Sequence, residues 1–279
     1  MSFREFSLKI AVFCCTFFCF LSCTDKKTDT KPKKYFLTKV FSEGKLVKEF
    51  DYLNDTLAAS LKTYRNDTLL REITYQYTGS DVTSLIQKDF GKVQNAWILI
   101  STTKKQFVRN ADRQVIQEDG LTQRKDGSFG LTSRKVHRYD AGGKRIETDF
   151  LDAYESFNPQ KPTNRFKYVY NTFGNMVETT WLTKANSYAD LEKAGTDKFE
   201  YDNQKNIFAV GDFYLYIFPD FYNRNNVIKE IYTYTDFQEI TEFNSVYEYN
   251  EDGYPTRLTR TRSDGKVRYS ENYEYKILN

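Results

Sequence analysis

From Tyr35 onward the chain alternates. Apolar or aromatic residues recur at every second position, and short clusters of Asn, Asp and Gly interrupt the pattern. The last segment shows the period most clearly. Val267, Tyr269, Tyr273, Tyr275 and Ile277 share one face; Arg268, Ser270, Asn272, Glu274 and Lys276 share the other. Successive side chains of a strand point to opposite faces, so this segment predicts a half-buried antiparallel strand and not a helix. Aromatic pairs spaced by two stand before turn residues along the whole body. Tyr75-Gln76-Tyr77 precedes Gly79, and His137-Arg138-Tyr139-Asp140 precedes Gly142-Gly143. Tyr168-Val169-Tyr170-Asn171 precedes Gly174, and Tyr247-Glu248-Tyr249-Asn250 precedes Asp252-Gly253. Gly and Asn tolerate the positive φ angles of a tight turn, so each unit predicts a hairpin. Tyr139, Tyr170 and Tyr201 recur at one interval, and a period of about 30 residues is a repeat signature.

Other segments modify this picture. Trp97-Ile98-Leu99-Ile100 predicts a buried strand. Ser187 and Asp190 have the spacing of a capping box, and Gly195 follows as a stop, which predicts one short helix over residues 188–194. Ala153 to Asn164 holds Pro159 and Pro162 and reads as a long loop. Phe213 to Phe221, dense in aromatics, reads as a strand covering part of the sheet. The expected fold is all-β: an extended, twisted antiparallel sheet, a meander of hairpins over residues 35–279, with at most one short helix.

The N-terminus has a different character. Arg4 and Lys9 flank a charged start, and Ile10 to Leu21 is apolar except for Thr16. A spanning helix needs about 20 apolar residues, so this run is too short to cross a membrane and fits a secretory signal. It ends in Phe20-Leu21-Ser22-Cys23, which resembles a bacterial lipobox, with Phe20 where such motifs usually carry Leu. The resemblance implies cleavage before Cys23 and acylation of its thiol. Residues 1–22 are then the signal peptide, and residues 23–34, polar and Lys-rich, a flexible tether. All four cysteines, Cys14, Cys15, Cys19 and Cys23, lie in this region. The body therefore has no disulfide, thiol nucleophile or cysteine-based metal site.

Composition narrows the function. Lys+Arg 41 against Asp+Glu 38 gives +3, too weak a bias to argue for nucleic acid as a partner. Tyr 22 and Phe 23 favour strands. The mean hydropathy of -0.68 excludes a multi-span membrane protein. His137 is the only histidine, so a zinc site of several histidines is excluded, and its place in an aromatic pair reads as a structural ring. Asp55, Asp67, Asp81, Asp112, Asp252 and Asp264 fall mostly at turns, where the carboxylate bonds its own backbone. Paired carboxylates could hydrolyse a glycosidic bond, so a glycan hydrolase is kept as an alternative. Asn250-Glu251-Asp252-Gly253 lacks the spaced oxygen ligands of a calcium loop. No phosphate cradle, cofactor motif, metal site or catalytic set is read.

Two groups remain as ligand contacts. Arg257, Arg260, Arg262, Lys266 and Arg268 would line up in a hairpin about Asp264-Gly265, facing acidic polysaccharide or lipid headgroups. Trp97 and Trp181, with the surplus tyrosines, could form a sugar-stacking platform. For both, the bland alternatives are a charged strand that discourages edge aggregation, and ordinary packing.

The Tyr-x-Tyr-Asn/Asp-x-x-Gly units resemble the YD-repeat pattern of RHS-type proteins. With the lipobox, and with Asn206-Ile207-Phe208 through Phe218-Pro219 to Asn225-Asn226-Val227, the layout resembles prolipoproteins of unknown function common in Bacteroidota. Phe107-Val108-Arg109-Asn110 departs from the pattern, lacking the glycine. The resemblance implies a sheet of tyrosine hairpins and brings no catalytic residue. It also suggests a third role, an accessory or immunity factor for an RHS-like toxin. The leading expectation is a lipid-anchored, non-enzymatic protein of the bacterial cell envelope, at the outer membrane on an unspecified leaflet. It is attached to the membrane through Cys23, and its partner is a glycan or an envelope protein.

Overall fold

The computed structural model describes residues 33–54, 56–94, 96–153, 156–158, 160–184, 189–206, 223–235 and 239–278. The unit Tyr35–Ile277 holds the sheet; the other, Met1–Lys34 with Leu278–Asn279, lies almost wholly outside the described residues. The signal peptide, Cys23, Asp55 and the Phe213–Phe221 stretch are also outside them.

Among the described residues sixteen strands follow one another. They are β1 (Lys34–Ser42), β2 (Lys45–Leu53), β3 (Leu57–Arg65), β4 (Thr68–Thr78), β5 (Asp81–Val93) and β6 (Ala96–Arg109). Then come β7 (Val115–Gln123), β8 (Phe129–Tyr139), β9 (Arg145–Asp152), β10 (Asn164–Tyr170) and β11 (Met176–Lys184). The last are β12 (Leu191–Tyr201), β13 (Val227–Tyr234), β14 (Glu239–Tyr249), β15 (Pro255–Arg262) and β16 (Val267–Leu278). Each neighbours the next, and β1 lies beside β16, so the sheet is a closed barrel. This corrects the expected open, extended sheet; the meander of hairpins stands. Strand twist and recurrent bulges curve the sheet until its two edges meet, which removes both edges.

Many of the bulges sit at tyrosines. The register shifts just before Tyr52, Tyr77, Tyr139, Tyr170, Tyr201 and Tyr249. Several of these rings, and that of Tyr275, reach back to the strand before their own. Tyr52 Oη donates to Leu37 O at 2.7 Å, Tyr77 Oη to Ala58 O at 2.7 Å and Tyr139 Oη to Val115 O at 2.8 Å. Tyr201 Oη donates to Met176 O, and Tyr275 Oη to Pro255 O at 2.5 Å. The repeated tyrosine thus joins one strand to the one before it.

The turns that follow are also alike. Asn110, Asp140, Asn171 and Asn250 each accept, through Oδ1, the backbone N–H four residues on, at 2.9–3.0 Å. Their own N–H groups donate to the carbonyl of that same residue. Gly143, Gly174 and Gly253 supply the positive φ. In the unit without glycine, Arg113 takes φ 64 instead, and its guanidinium is held by Asp81 at 2.6 Å and Ser80 at 2.9 Å.

No helix occurs among the described residues. The predicted helix over 188–194 is replaced, from Leu191, by β12, whose Leu191, Glu192 and Lys193 pair with Lys184, Thr183 and Leu182. The two faces of the barrel differ. The inner face carries the core: Leu37, Val40, Phe50, Leu61, Ile73, Tyr75, Leu85, Leu258 and Tyr273 form one buried cluster, and Tyr168, Met176 and Phe199 another. The outer face carries cross-strand ion pairs, among them Lys62–Asp51, Lys88–Glu72, Arg134–Asp119, Arg138–Glu147, Lys229–Glu242 and Arg257–Glu248. Such pairs favour a face in water over one in hydrocarbon.

One hairpin breaks the pattern. Beyond Asp89 and Ser101, β5 and β6 pair only with each other, Phe90 opposite Leu99 and Lys92 opposite Trp97. Trp97-Ile98-Leu99-Ile100 is therefore a strand as expected, but an exposed one, with Ile100 at 61%.

Candidate binding recess on the inner face

The inner face of β13–β16 is built from alternation. Glu230, Tyr232 and Tyr234 share one face of β13, and in register they stand opposite Phe243, Thr241 and Glu239 of β14. Arg260 stands opposite Ser245 on one side and Tyr269 on the other. Together Tyr232, Tyr234, Thr241, Phe243, Arg260, Arg268 and Tyr269 line a cavity of about 520 Å³. A volume of this size is in the range of ligand sites, about 300–1,000 Å³. Tyr232, Arg260 and Tyr269 also border a deeper cavity of about 260 Å³, which reaches Tyr247, Leu258, Glu271 and Tyr273.

Arg260 organises the recess. Its guanidinium lies 4.2 Å from the Phe243 ring centroid, and Nη2 meets Glu230 Oε2 at 2.7 Å. Tyr232 Oη donates to the same carboxylate. Burial acts to lower the Arg260 pKa, but the Glu230 carboxylate and the Tyr269 hydroxyl outweigh it and hold it above the ordinary value. Arg260 is therefore a fixed cation with its charge already matched. Burial likewise raises the hydroxyls of Tyr232, Tyr247 and Tyr269 above the usual tyrosine range, so these are neutral hydroxyls and not phenolate nucleophiles. The aromatic wall continues through Tyr234 to Trp181, edge-on at 5.5 Å. Trp181 is oriented by its Nε1–H, which donates to Asp197 Oδ2 at 2.9 Å.

Of the residues marked from sequence, the structure brings together Arg260 and Arg268, with Trp181 next to the wall. The hairpin about Asp264-Gly265 forms, but its alternation splits the cations. Arg257 falls on the outer face, 3.4 Å from Glu248. Arg262 stands opposite Phe243 and is exposed. Lys266 meets Asp264 at 3.5 Å within the turn. Trp97 is on β6 in the projecting β5–β6 hairpin, seven strands from β13 in the sheet order, and does not border the recess. Sequence reasoning missed Tyr232, Tyr234, Phe243 and Tyr269. Their period of two was visible, but nothing local separates a ring that packs from one that borders a cavity.

The other candidate chemistry is accounted for by structure. His137 is buried, with Nδ1 2.9 Å from Thr148 Oγ1. Burial first, then the cations Arg145, Lys135 and Lys105, push its pKa down to about 2, so it stays neutral and is no proton acceptor at ordinary pH. For Glu118, burial acts upward, but Lys105 and Lys135 hold the carboxyl below its usual range. Asp81, Asp126 and Asp264 are also lowered, by Arg113, Ser128 and the Lys266 N–H respectively. Asn250 Oδ1, in the tested calcium segment, accepts the N–H groups of Asp252 and Tyr254. No metal-ligating cluster occurs among the described residues.

No family model and no curated protein matches this chain. Among solved structures it is similar to a porin-like protein from Bacteroides vulgatus at 10% identity and TM-score 0.44, covering 87% of this chain and 99% of that one. A porin-like protein from Bacteroides uniformis is similar at 12% identity and TM-score 0.41, covering 86% and 96%. A structure of TcdB2-TccC3-TEV is similar over 82% of this chain and 13% of that one, at 8% identity and TM-score 0.27.

Proposed function

We propose that this chain is a non-enzymatic envelope protein, lipid-anchored through Cys23, whose barrel binds a glycan on its inner face. One observation carries the reading: a cavity of about 520 Å³ walled by Tyr232, Tyr234, Phe243 and Tyr269. Aromatic faces suit the apolar face of a sugar ring, and tyrosine hydroxyls at their edges suit its hydroxyl groups. The address rests on the lipobox-like Phe20-Leu21-Ser22-Cys23, and the ion-paired outer face suits a body held in water by a tether. Hydrolysis gains no support from the site. Glu230 is held by Arg260 and Tyr232, and Glu271 by Tyr273 at 3.0 Å and Lys48 at 3.9 Å.

A glycan array probed with the mature chain, with Tyr234→Ala and Phe243→Ala alongside, tests the binding half. Carbohydrate binding that both substitutions weaken is expected. An array without carbohydrate binding, or binding indifferent to both changes, would overturn it. The address is tested separately. Cys23→Ser is expected to move the protein from the membrane fraction to the soluble one. Protease treatment of intact cells then distinguishes a surface body, which is shaved off, from a periplasmic one, which survives.

A further inference from the structure

We propose that the recess selects an anionic saccharide, a pyranose carrying a carboxylate or a sulfate ester, and that Arg268 receives the anionic group. This rests on the glycan reading above and names its ligand class.

The argument is one of charge balance. Among the described residues, those lining the outer cavity include two guanidiniums, Arg260 and Arg268, and no carboxylate. Arg260 is matched from below by Glu230 at 2.7 Å. Among the described residues the other ion pairs of β13–β16 and their turns are Lys229–Glu242, Arg257–Glu248, Lys266–Asp264 and, to Lys48 of β2, Glu271. Among the described residues Arg268 is in none of them. It stands at the bulge where Thr261 pairs with Val267 and Arg260 with Tyr269, so it borders a cavity otherwise lined from the inner face. The recess therefore offers neutral rings on its walls, a matched cation on its floor and an unmatched cation at its rim. A neutral sugar would leave that cation unused. A carboxylate would meet it in a bidentate, charge-assisted pair, and a sulfate through parallel N–H donors.

The same features argue against a lipid headgroup. The outer faces of β2–β5, β7–β9 and β13–β15 carry ion pairs, and the cavity is bordered by rings and hydroxyls. A bilayer would have to reach the rim past charged side chains.

The test is titration of the mature chain by calorimetry with four probes: an oligogalacturonate, its methyl ester, a sulfated oligosaccharide, and vesicles of anionic phospholipid. The acid or the sulfated form is expected to bind at least tenfold more tightly than the methyl ester, with affinity falling as salt is raised. Arg268→Gln should bring acid and ester within about twofold while leaving the unfolding midpoint in place. Arg268→Lys distinguishes the two anions. It keeps a point charge suited to sulfate and loses the planar fork suited to carboxylate. Equal binding of acid, sulfate and ester, an Arg268→Gln protein that still prefers the acid, or binding to vesicles alone would overturn the proposal. Equal binding would leave the glycan reading standing; failure of every saccharide would sink both.

Discussion

Tyrosine does two jobs in this molecule, divided between ring and hydroxyl. The ring fills the inner face, and the hydroxyl donates to a carbonyl of the preceding strand. Tyr52 isolates the second job, because its hydroxyl lies 2.7 Å from Leu37 O and burial raises its pKa beyond the ordinary range. Tyr52→Phe keeps the ring and leaves a buried carbonyl short of a donor. A loss of about 1–2 kcal/mol is expected, read as a lower urea midpoint at unchanged m-value. His137 gives a second prediction. Its pKa is about 2 in the folded chain against an ordinary 6.5, so below pH 6.5 the unfolded chain takes up a proton that the folded chain refuses. Stability must then fall with pH at up to about 1.4 kcal/mol per unit. Between pH 7 and 5 this term is separate from the lowered carboxylates, which act below their ordinary range near pH 4. His137→Gln should flatten that window, and a slope surviving in the variant would place the proton elsewhere. The spacing of the tyrosines and their turn residues was legible in the sequence. Their bulges and carbonyl partners were not, because both depend on a neighbouring strand.

At the scale of the element, repetition is written in the turns. An Asn or Asp caps the N–H four residues on, and this fixes one hairpin geometry at Asn110, Asp140, Asn171 and Asn250. It also explains why turn acids are poor candidates for catalysis: Asp140 and Asp264 already bond backbone N–H groups. The helix expected over 188–194 failed for a reason of the same kind. Ala189 to Ala194 has helical propensity, but Leu191, Glu192 and Lys193 are paired with β11, and ladder hydrogen bonds override propensity. Gly195, read as a helix stop, has a different use. A Cβ there would stand 2.7 Å from Thr233 O, so glycine permits the close approach of β13. Gly195→Ala should push the two strands apart and cost about 1–3 kcal/mol. Gly91 is the control. A Cβ there would meet only the side chain of Ile100, which is 61% exposed and can swing away. Gly91→Ala should change the thermal midpoint little. Equal losses in the two variants would mean that the β12–β13 approach is not what Gly195 serves.

Closure belongs to the whole barrel, and it is the part of the fold no local pattern announces. The seam joins β1 to β16, residues more than two hundred positions apart: Thr38 Oγ1 donates to Glu274 O at 3.1 Å, and Tyr35 Oη donates to Asp252. Period-two alternation specifies which face of each strand is buried, and that holds equally for an open or a closed sheet. The seam depends instead on a cluster of rings. Tyr254 stacks on Tyr35 at 4.4 Å and meets Tyr275 at 6.1 Å, while Lys205 lies 4.7 Å from its ring centroid. Tyr254 is thus bonded into contacts with both ends of the meander. Tyr254→Ala should cost about 3 kcal/mol or more, as truncation of a buried ring does. Its second effect should be particular to the seam. Weakening the β1–β16 junction exposes two strand edges, and exposed edges pair with other chains. Concentration-dependent oligomers are therefore expected in size-exclusion chromatography of Tyr254→Ala. Tyr168→Ala, which removes a buried ring from the second core cluster, should lose comparable stability and keep the parent chain's elution volume. If both variants oligomerise alike, or neither does, the rings at the seam pack the core without holding the barrel shut.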